Sequence, residues 1–226
     1  MEYPDAIYHY THVEKLFLIL GDFQLKMNAL KNVNDPREWM EYEPVVDKRA
    51  KSAYKALRFI QSRNINTNTI VCFSGDSKKV KGYDLPTMWA HYGDNFKGVS
   101  LQINPFAFIE ENNKRLLNKY LFFDKVHYEK PIANITVEGE MPLEKLRQIM
   151  FFSKRPDWES EQEWRLLSIH GRQISNIRKS LEAIILGLDF NYSFLPSIRK
   201  LIEGEEILIK QLKLDNKSQS FYVETI

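Results

Sequence analysis

The chain has 226 residues, of which 43% are hydrophobic and 13% aromatic, enough to bury one sizeable core and short enough that a single domain over 1–226 is expected. A formal net charge of +2 is too mild to dictate a polyanionic partner, and no apolar run approaches the roughly 18 residues that a membrane span needs. No secretory leader pattern opens the chain, and the lone cysteine, Cys72, cannot form an internal disulfide, so a cytoplasmic protein without a membrane partner is the expectation.

Ile7 to Tyr10 reads as a strand, and Thr11-His12-Val13-Glu14 has the form of a capping box opening a helix over Val13 to Leu20, which Gly21 would end. Phe23, Leu25 and Met27 alternate with polar residues as a second strand, and Asn32 to Pro36 breaks regularity. Val46, Ala50, Ala53, Tyr54, Leu57 and Ile60 recur at helical spacing, which predicts a long amphipathic helix from Val45 to Ser62. Its polar side is basic. Between Pro44 and Arg63, six cations (Lys48, Arg49, Lys51, Lys55, Arg58 and Arg63) face one acid, Asp47, so this basic helical insertion at about 44–63 reads either as a solvated face or as a nucleic-acid contact.

Thr69 to Ser74 is a β-branched strand, and Asp84 is placed to cap a short helix after Pro86. Further strands are expected over Gly98 to Ile103, Leu121 to Tyr128, Glu163 to Ile169, Ala183 to Leu186, Glu206 to Leu214 and Ser220 to Glu224, with helices over Pro105 to Leu117 and Pro142 to Phe152. Helices are interspersed but do not alternate strictly with strands. That pattern predicts an α+β fold with mixed or antiparallel sheets, and the absence of G-x-G-x-x-G and Walker motifs argues against a doubly wound dinucleotide fold.

Trp158 to Arg165 sets acids at every second residue ahead of an apolar run. If that segment is extended, Glu161, Glu163 and Arg165 share one face while Trp164 and Leu166 take the other. Like charges so stacked must reach solvent, pair with Arg165, or line a cleft where a carboxylate is tuned for chemistry. An exposed Glu163–Arg165 pair at a strand start would be worth at most about 1 kcal/mol.

His9 sits on a strand of large aromatics, Tyr8 and Tyr10, and is either a satisfied core histidine or a hydrogen-bonding group at the mouth of a cleft. Met88 to Val99 concentrates Trp89, His91 and Tyr92 between strands, either as a helix end packed into the core or as a pocket wall next to Ser74. Asn34-Asp35-Pro36-Arg37-Glu38 is a sound turn. His9, His12, His91, His127 and Cys72 lack metal-ligand spacing, so no metal is expected, and Ser74 lacks the G-x-S-x-G elbow of a hydrolase.

The ordered set Tyr8-His9-Tyr10-Thr11, Asn34-Asp35-Pro36-x-Glu38, Cys72-Phe73-Ser74, Met88-Trp89-Ala90-His91-Tyr92 with Gly98-Val99, and Glu161-x-Glu163-Trp164-Arg165 resembles the bacterial domain-of-unknown-function family 2971, from residue 8 to at least 169. Tyr8 to Thr11 leading into Phe17 to Leu25 is also similar to the opening strand and helix of ADP-ribosyltransferases, whose later key positions are a Ser or Tyr on a middle strand and a Glu, often in E-x-E, at a late one. What that resemblance implies is an ADP-ribosyltransferase-like core using NAD to modify a macromolecule, nucleic acid or protein, as a toxin or antiphage effector.

By the same resemblance His9 would hold the nicotinamide ribose, Tyr92 would close over nicotinamide, Glu163 would stabilise the ribosyl cation, and Glu161 would orient the acceptor. Tyr10, Thr11, Ser74, Trp89 and His91 would complete the nucleotide site, with Ser74 or Tyr92 as the middle residue. Two other classes compete: a non-catalytic nucleotide-sensing or protein-interaction module, and a metal-dependent nuclease built on Glu161 and Glu163. The transferase requires Glu163 and His9 on one cleft; a cation site requires converging carboxylates.

Overall fold

Tyr8 and Tyr10 alternate with Ile7, His9 and Thr11 along β1 (Ile7–Thr11), so the first strand sends its tyrosines to one face of a sheet and Ile7 to the other. A computed structural model describes residues 2–35, 55, 67–113, 121–129, 143–169, 171 and 174–226. After β1 come α1 (Val13–Asp22), β2 (Gln24–Lys26), β3 (Asn28–Ala29), β4 (Thr69–Gly75), α2 (Pro86–His91), β5 (Val99–Ile103), α3 (Pro105–Asn113), β6 (Leu121–Lys125) and β7 (His127–Tyr128). The chain continues through α4 (Leu143–Phe151), β8 (Ser153–Lys154), β9 (Glu163–Ser168), β10 (Ile174–Asn176), β11 (Leu181–Leu186), α5 (Leu195–Leu201), β12 (Leu208–Leu214) and β13 (Phe221–Thr225).

Eight strands run in the order β13-β12-β11-β5-β1-β4-β9-β6, with β3 added beside β4. Only the β11–β12 ladder of this sheet is parallel, so the fold is α+β with a mixed sheet. On one face, Ile7, Val71, Leu101, Leu166 and Ile184 pack with Leu16 and Leu20 of α1, Phe108 of α3 and Ile198 of α5. On the other, Tyr8, Tyr10 and Ile185 pack with Trp89 of α2, while Ile70 and Leu167 meet Phe151 at the end of α4. Helices cover both faces, which is why β9 is buried along its whole length instead of showing a solvated side.

The central ladders are unequal. β1 pairs with β5 over five residues and β4 with β9 over six, but β1 and β4 are in register only at Ile7–Gly75 and Tyr8–Ser74. Beyond Tyr8 the two strands part, and β4 takes β3 as its partner at Ile70 and Thr69. A fork therefore opens in the middle of the sheet, between β1 on one side and β3 with its following turn on the other.

Several local expectations need correction. Thr11 caps nothing: it is the last residue of β1, opposite Val99, and the cap position of α1 is His12, whose side chain makes no capping bond. Gly21 lies within α1, which ends when buried Phe23 adopts a left-handed backbone, φ 53, under the Arg178 guanidinium. Asp84 accepts the Phe221 N–H at 2.9 Å instead of capping α2. The expected strand from Leu121 to Tyr128 is two, because Val126 N–H turns to the Glu163 carbonyl and His127 N–H to Phe152. β10 and α5 were not foreseen. The basic helix at 44–63 lies outside the described residues except for Lys55, which is helical and exposed.

Gly187 closes β11 with its N–H on the Gly98 carbonyl, and a Cβ there would run into the Phe96 carbonyl, part of a turn in which Asp94, Asn95 and Phe96 all have positive φ. Backbone cannot yield as a flexible side chain would. Gly187→Ala is expected to destabilise by about 1–3 kcal/mol, the usual cost of overpacking, read as a lower denaturant midpoint at unchanged slope.

Candidate active site

The fork holds a cavity of about 180 Å³ whose wall includes Tyr8, His9 and Tyr10 of β1, Ile70 to Phe73 of β4, and Tyr92, Lys154, Glu161, Glu163 and Arg165. Asn28, Asn32, Val33 and Asn34 form the side contributed by β3 and the turn after it. A more open groove of about 840 Å³ lies beyond Gly75, Gln162 and Trp164. The groove is larger and also lined by charged side chains, but the fork is where buried acids, Glu161 and Glu163, meet buried cations, Lys154 and Arg165.

Each wall residue is placed by its strand. His9 Nδ1 lies 3.0 Å from the Cys72 carbonyl, bridging the two strands just where their ladder stops. A carbonyl only accepts, so Nδ1 carries the proton and Nε2 is left with a lone pair. Burial lowers the imidazole's affinity for a second proton despite that bond, so His9 is neutral.

Glu163 is the first residue of β9 and, with Arg165 two residues on, shares the face opposite Trp164 and Leu166. Trp164 and Leu166 sit in the core as the alternation predicts, but the charged face is not solvated: Glu163 is 4% and Arg165 1% exposed. The guanidinium grips Glu163 through Nε and, at 3.0 Å, through Nη2, and its Nη1 donates to the Phe151 carbonyl at the C-terminus of α4. Burial would raise the Glu163 carboxyl, but Arg165 and then Lys154 overcome it and hold the group well below the usual carboxylate range.

Glu161 is not in the strand. It ends a 3-10 turn, Pro156–Glu161, and Gln162 then takes a left-handed backbone, φ 46, before β9 begins. Both acids nevertheless reach one ammonium: Lys154 Nζ lies 2.6 Å from Glu161 Oε2 and 3.2 Å from Glu163 Oε2, over the Trp158 ring. The other Glu161 oxygen accepts Tyr92 Oη–H at 2.9 Å, and Tyr92 Oη accepts from Asn34 Nδ2 at 2.8 Å. Burial raises the Glu161 carboxyl against the pull of Lys154, and burial together with Glu161 raises the Tyr92 phenol, which stays a donor.

His9, Tyr10, Tyr92, Glu161 and Glu163 thus meet at one cavity. Four others flagged in sequence do not line it. Ser74 is wholly buried opposite Glu163 and Tyr8 in register, and its hydroxyl has no hydrogen-bond partner. Trp89 is core, edge-on to Tyr10 with its indole N–H on the Tyr83 carbonyl. Thr11 is buried beyond the fork at the end of β1, and His91 is exposed on α2. Among the basic candidates, Lys48, Arg49, Lys51 and Arg58 lie outside the described residues.

Lys154 and Tyr128, whose hydroxyl accepts the Glu163 N–H at 2.8 Å, were missed. The available signal was the cation pair Lys154-Arg155 just before Pro156 and the acidic run, since buried acids need a counter-charge nearby. Between the two carboxylates, where a divalent cation would bind, sits the Lys154 ammonium, and the described residues contain no group of three or more acids, histidines or cysteines fit to hold a metal.

Of the alternatives that the sequence leaves open, pairing with Arg165 holds, but the pair is buried, so the bound of about 1 kcal/mol for an exposed pair does not apply to it. Glu163→Gln removes from the buried Arg165 guanidinium the carboxylate that it grips, while Lys154 keeps Glu161, and is expected to cost about 3–5 kcal/mol. The double variant Glu163→Gln/Arg165→Met should melt above the single one, and thermal unfolding of the three chains checks this. A single variant that melts with wild type would show that the pair does not support the fold.

A sequence model of the family described as a protein of unknown function, DUF2971, matches residues 88–166, which run from α2 into β9 and include both acids. Two solved structures are similar to the chain: Thermus sp. 2.9 DarT in complex with NAD+, at 12% identity and a TM-score of 0.42 over 92% of this chain and 97% of that one, and the same protein in complex with ADP-ribosylated ssDNA, at 14% identity and 0.39 over 90% of each. No curated protein sequence matches the chain.

Proposed function

We propose that the protein is an NAD-consuming ADP-ribosyltransferase acting on a macromolecule, with the cavity in the β1–β4 fork as its nicotinamide end. One observation carries the reading: His9 and Glu163, separated by most of the chain's motifs, wall the same cavity. A cavity of about 180 Å³ is below the roughly 300–1,000 Å³ of a full ligand pocket, so it suits the nicotinamide ribose while the rest of the dinucleotide runs out past Asn32 to Asn34.

The chemistry asks for a group that stabilises positive charge on the ribose as the bond to nicotinamide breaks and its electron pair leaves with the ring. Glu163, held ionised by Arg165 and Lys154, supplies a fixed anion that needs no rearrangement during the step. His9 Nε2 accepts from a ribose hydroxyl, and Tyr92 with Tyr10 packs the nicotinamide. Glu161, whose carboxyl is raised by burial, orients the acceptor and takes the proton it loses on forming the new bond to ribose. The acceptor is proposed to be nucleic acid or protein, with Lys48, Arg49, Lys51, Lys55 and Arg58 as phosphate contacts in the first case.

A nucleotide-binding module without turnover is the second reading. Its support is that Glu163 already has two cationic partners, which damp its field at the ribose.

Nicotinamide release, measured with DNA and with cell protein as acceptors, is expected for wild type and to fall by about 10²–10³ in Glu163→Gln, assayed well below that variant's melting point. His9→Ala should weaken NAD binding while a smaller effect remains on the rate of bound substrate. NAD that binds to wild type without any release would turn the conclusion to the binding module. Where the acceptor is essential to the host, growth should stop on expression of wild type and continue with Glu163→Gln.

A further inference from the structure

We propose that Lys154 is a positioning residue that keeps Glu161 ionised and oriented beside Glu163, so that two neighbouring buried acids are both anions at neutral pH. Two carboxylates in one low-dielectric site ordinarily cannot both ionise, and one holds a proton. Here Nζ reaches an oxygen of each, at 2.6 and 3.2 Å, from a side chain only 5% exposed. The lysine is fixed independently of the acids. It comes from β8, whose parallel ladder with β7 aligns Lys154 with Tyr128, and the Trp158 ring lies under the ammonium at 4.5 Å.

The charged and titratable groups around Glu161 are Lys154 from β8, Glu163 and Arg165 from β9, Tyr92 after α2 and Tyr128 from β7, with neutral His9 across the cavity. Arg165 is spent on Glu163 and the Phe151 carbonyl. Among the described residues, Lys154 is the cation hydrogen-bonded to Glu161, while the Tyr92 hydroxyl fixes the other oxygen.

The test is a carboxyl-carbon NMR titration of protein labelled at glutamate, with the Glu161 signal assigned by its loss in Glu161→Gln. In Lys154→Met the Glu161 midpoint should rise by about 1–3 pH units, the effect of one nearby opposite charge, and Lys154→Arg should stay near wild type. A midpoint unmoved in Lys154→Met, or one equally raised in Lys154→Arg, overturns the proposal. If Lys154→Met does not fold at neutral pH, the sign of rescue decides. A carboxyl whose folded pKa is raised gives stability that is full below its unfolded pKa and lost as pH rises through the folded one. Lys154→Met should then regain structure at mildly acid pH, and failure to regain it overturns the proposal.

Only the kinetic arm rests on the transferase reading: the acid limb of nicotinamide release should move up with the NMR midpoint. Wild type that releases no nicotinamide while the Lys154→Met midpoint still rises would sink the transferase and leave Lys154 in its role.

Discussion

Two acids, one ammonium and one guanidinium are buried at the end of the central sheet, and the surrounding structure is arranged to make that tolerable. Taking a single such ion from water costs several kcal/mol, which attraction offsets only with good geometry and satisfied hydrogen bonds. Each member has them. Arg165 closes two bonds on Glu163 and a third on the carbonyl end of α4, where the helix presents partial negative charge. Tyr92 donates to the other oxygen of Glu161, and Tyr128 ties the Glu163 backbone to β7. An apolar replacement of the cluster would be easier to bury, and the proposed function gives the charges a use at the cavity they face.

The fork and the ion cluster depend on each other. Had β1 and β4 stayed in register to their ends, the strands would have sealed the sheet over the site and left no wall for His9 to present. The parting at Tyr8 exposes the β4 residues Ile70 to Phe73 to a cavity, and the His9–Cys72 bond keeps the parted strands at a fixed distance. β9 runs unbroken behind β4 and delivers Glu163 to the same place. The cavity is thus framed by strands, the elements that hold a side chain most firmly, with the turn after β3 as its less regular side.

Most strands were legible because alternation survives in them: Tyr8 and Tyr10 against Ile7, and Trp164 and Leu166 against Glu163 and Arg165. Caps were read less well. Thr11 and Asp84 have the right side chains for capping, but strand pairing claimed Thr11 and a distant backbone N–H claimed Asp84. Both are tertiary contacts, which local spacing does not encode. The E-x-E segment shows the same limit. Reading it as one extended strand placed Glu161 and Glu163 on one face, and they do converge, yet the cause is the left-handed Gln162 after a 3-10 turn. For Lys154 the sequence shows a nearby cation but not which acids it meets, for a related reason. Its partners lie seven and nine residues on, separations that share no face together in a helix and none at all in a strand, and only the turn between brings both acids to it.

The order of bonds from the cavity mouth inward has a physical consequence. Asn34 donates to Tyr92, Tyr92 to Glu161, Lys154 is shared by Glu161 and Glu163, and Arg165 anchors the far end on α4. Hydrogen bonds in such a chain polarise one another, more so in a poorly solvated site. The two ends differ in rigidity: Arg165 is 1% exposed in the middle of a six-residue ladder, whereas Asn34 is exposed. A ligand that competes for the Asn34 amide or the Tyr92 hydroxyl therefore acts first on Glu161, whose carboxyl burial already raises, and last on Glu163, which Arg165 pins. Within one pair of acids, the architecture separates an adjustable carboxylate from a fixed one.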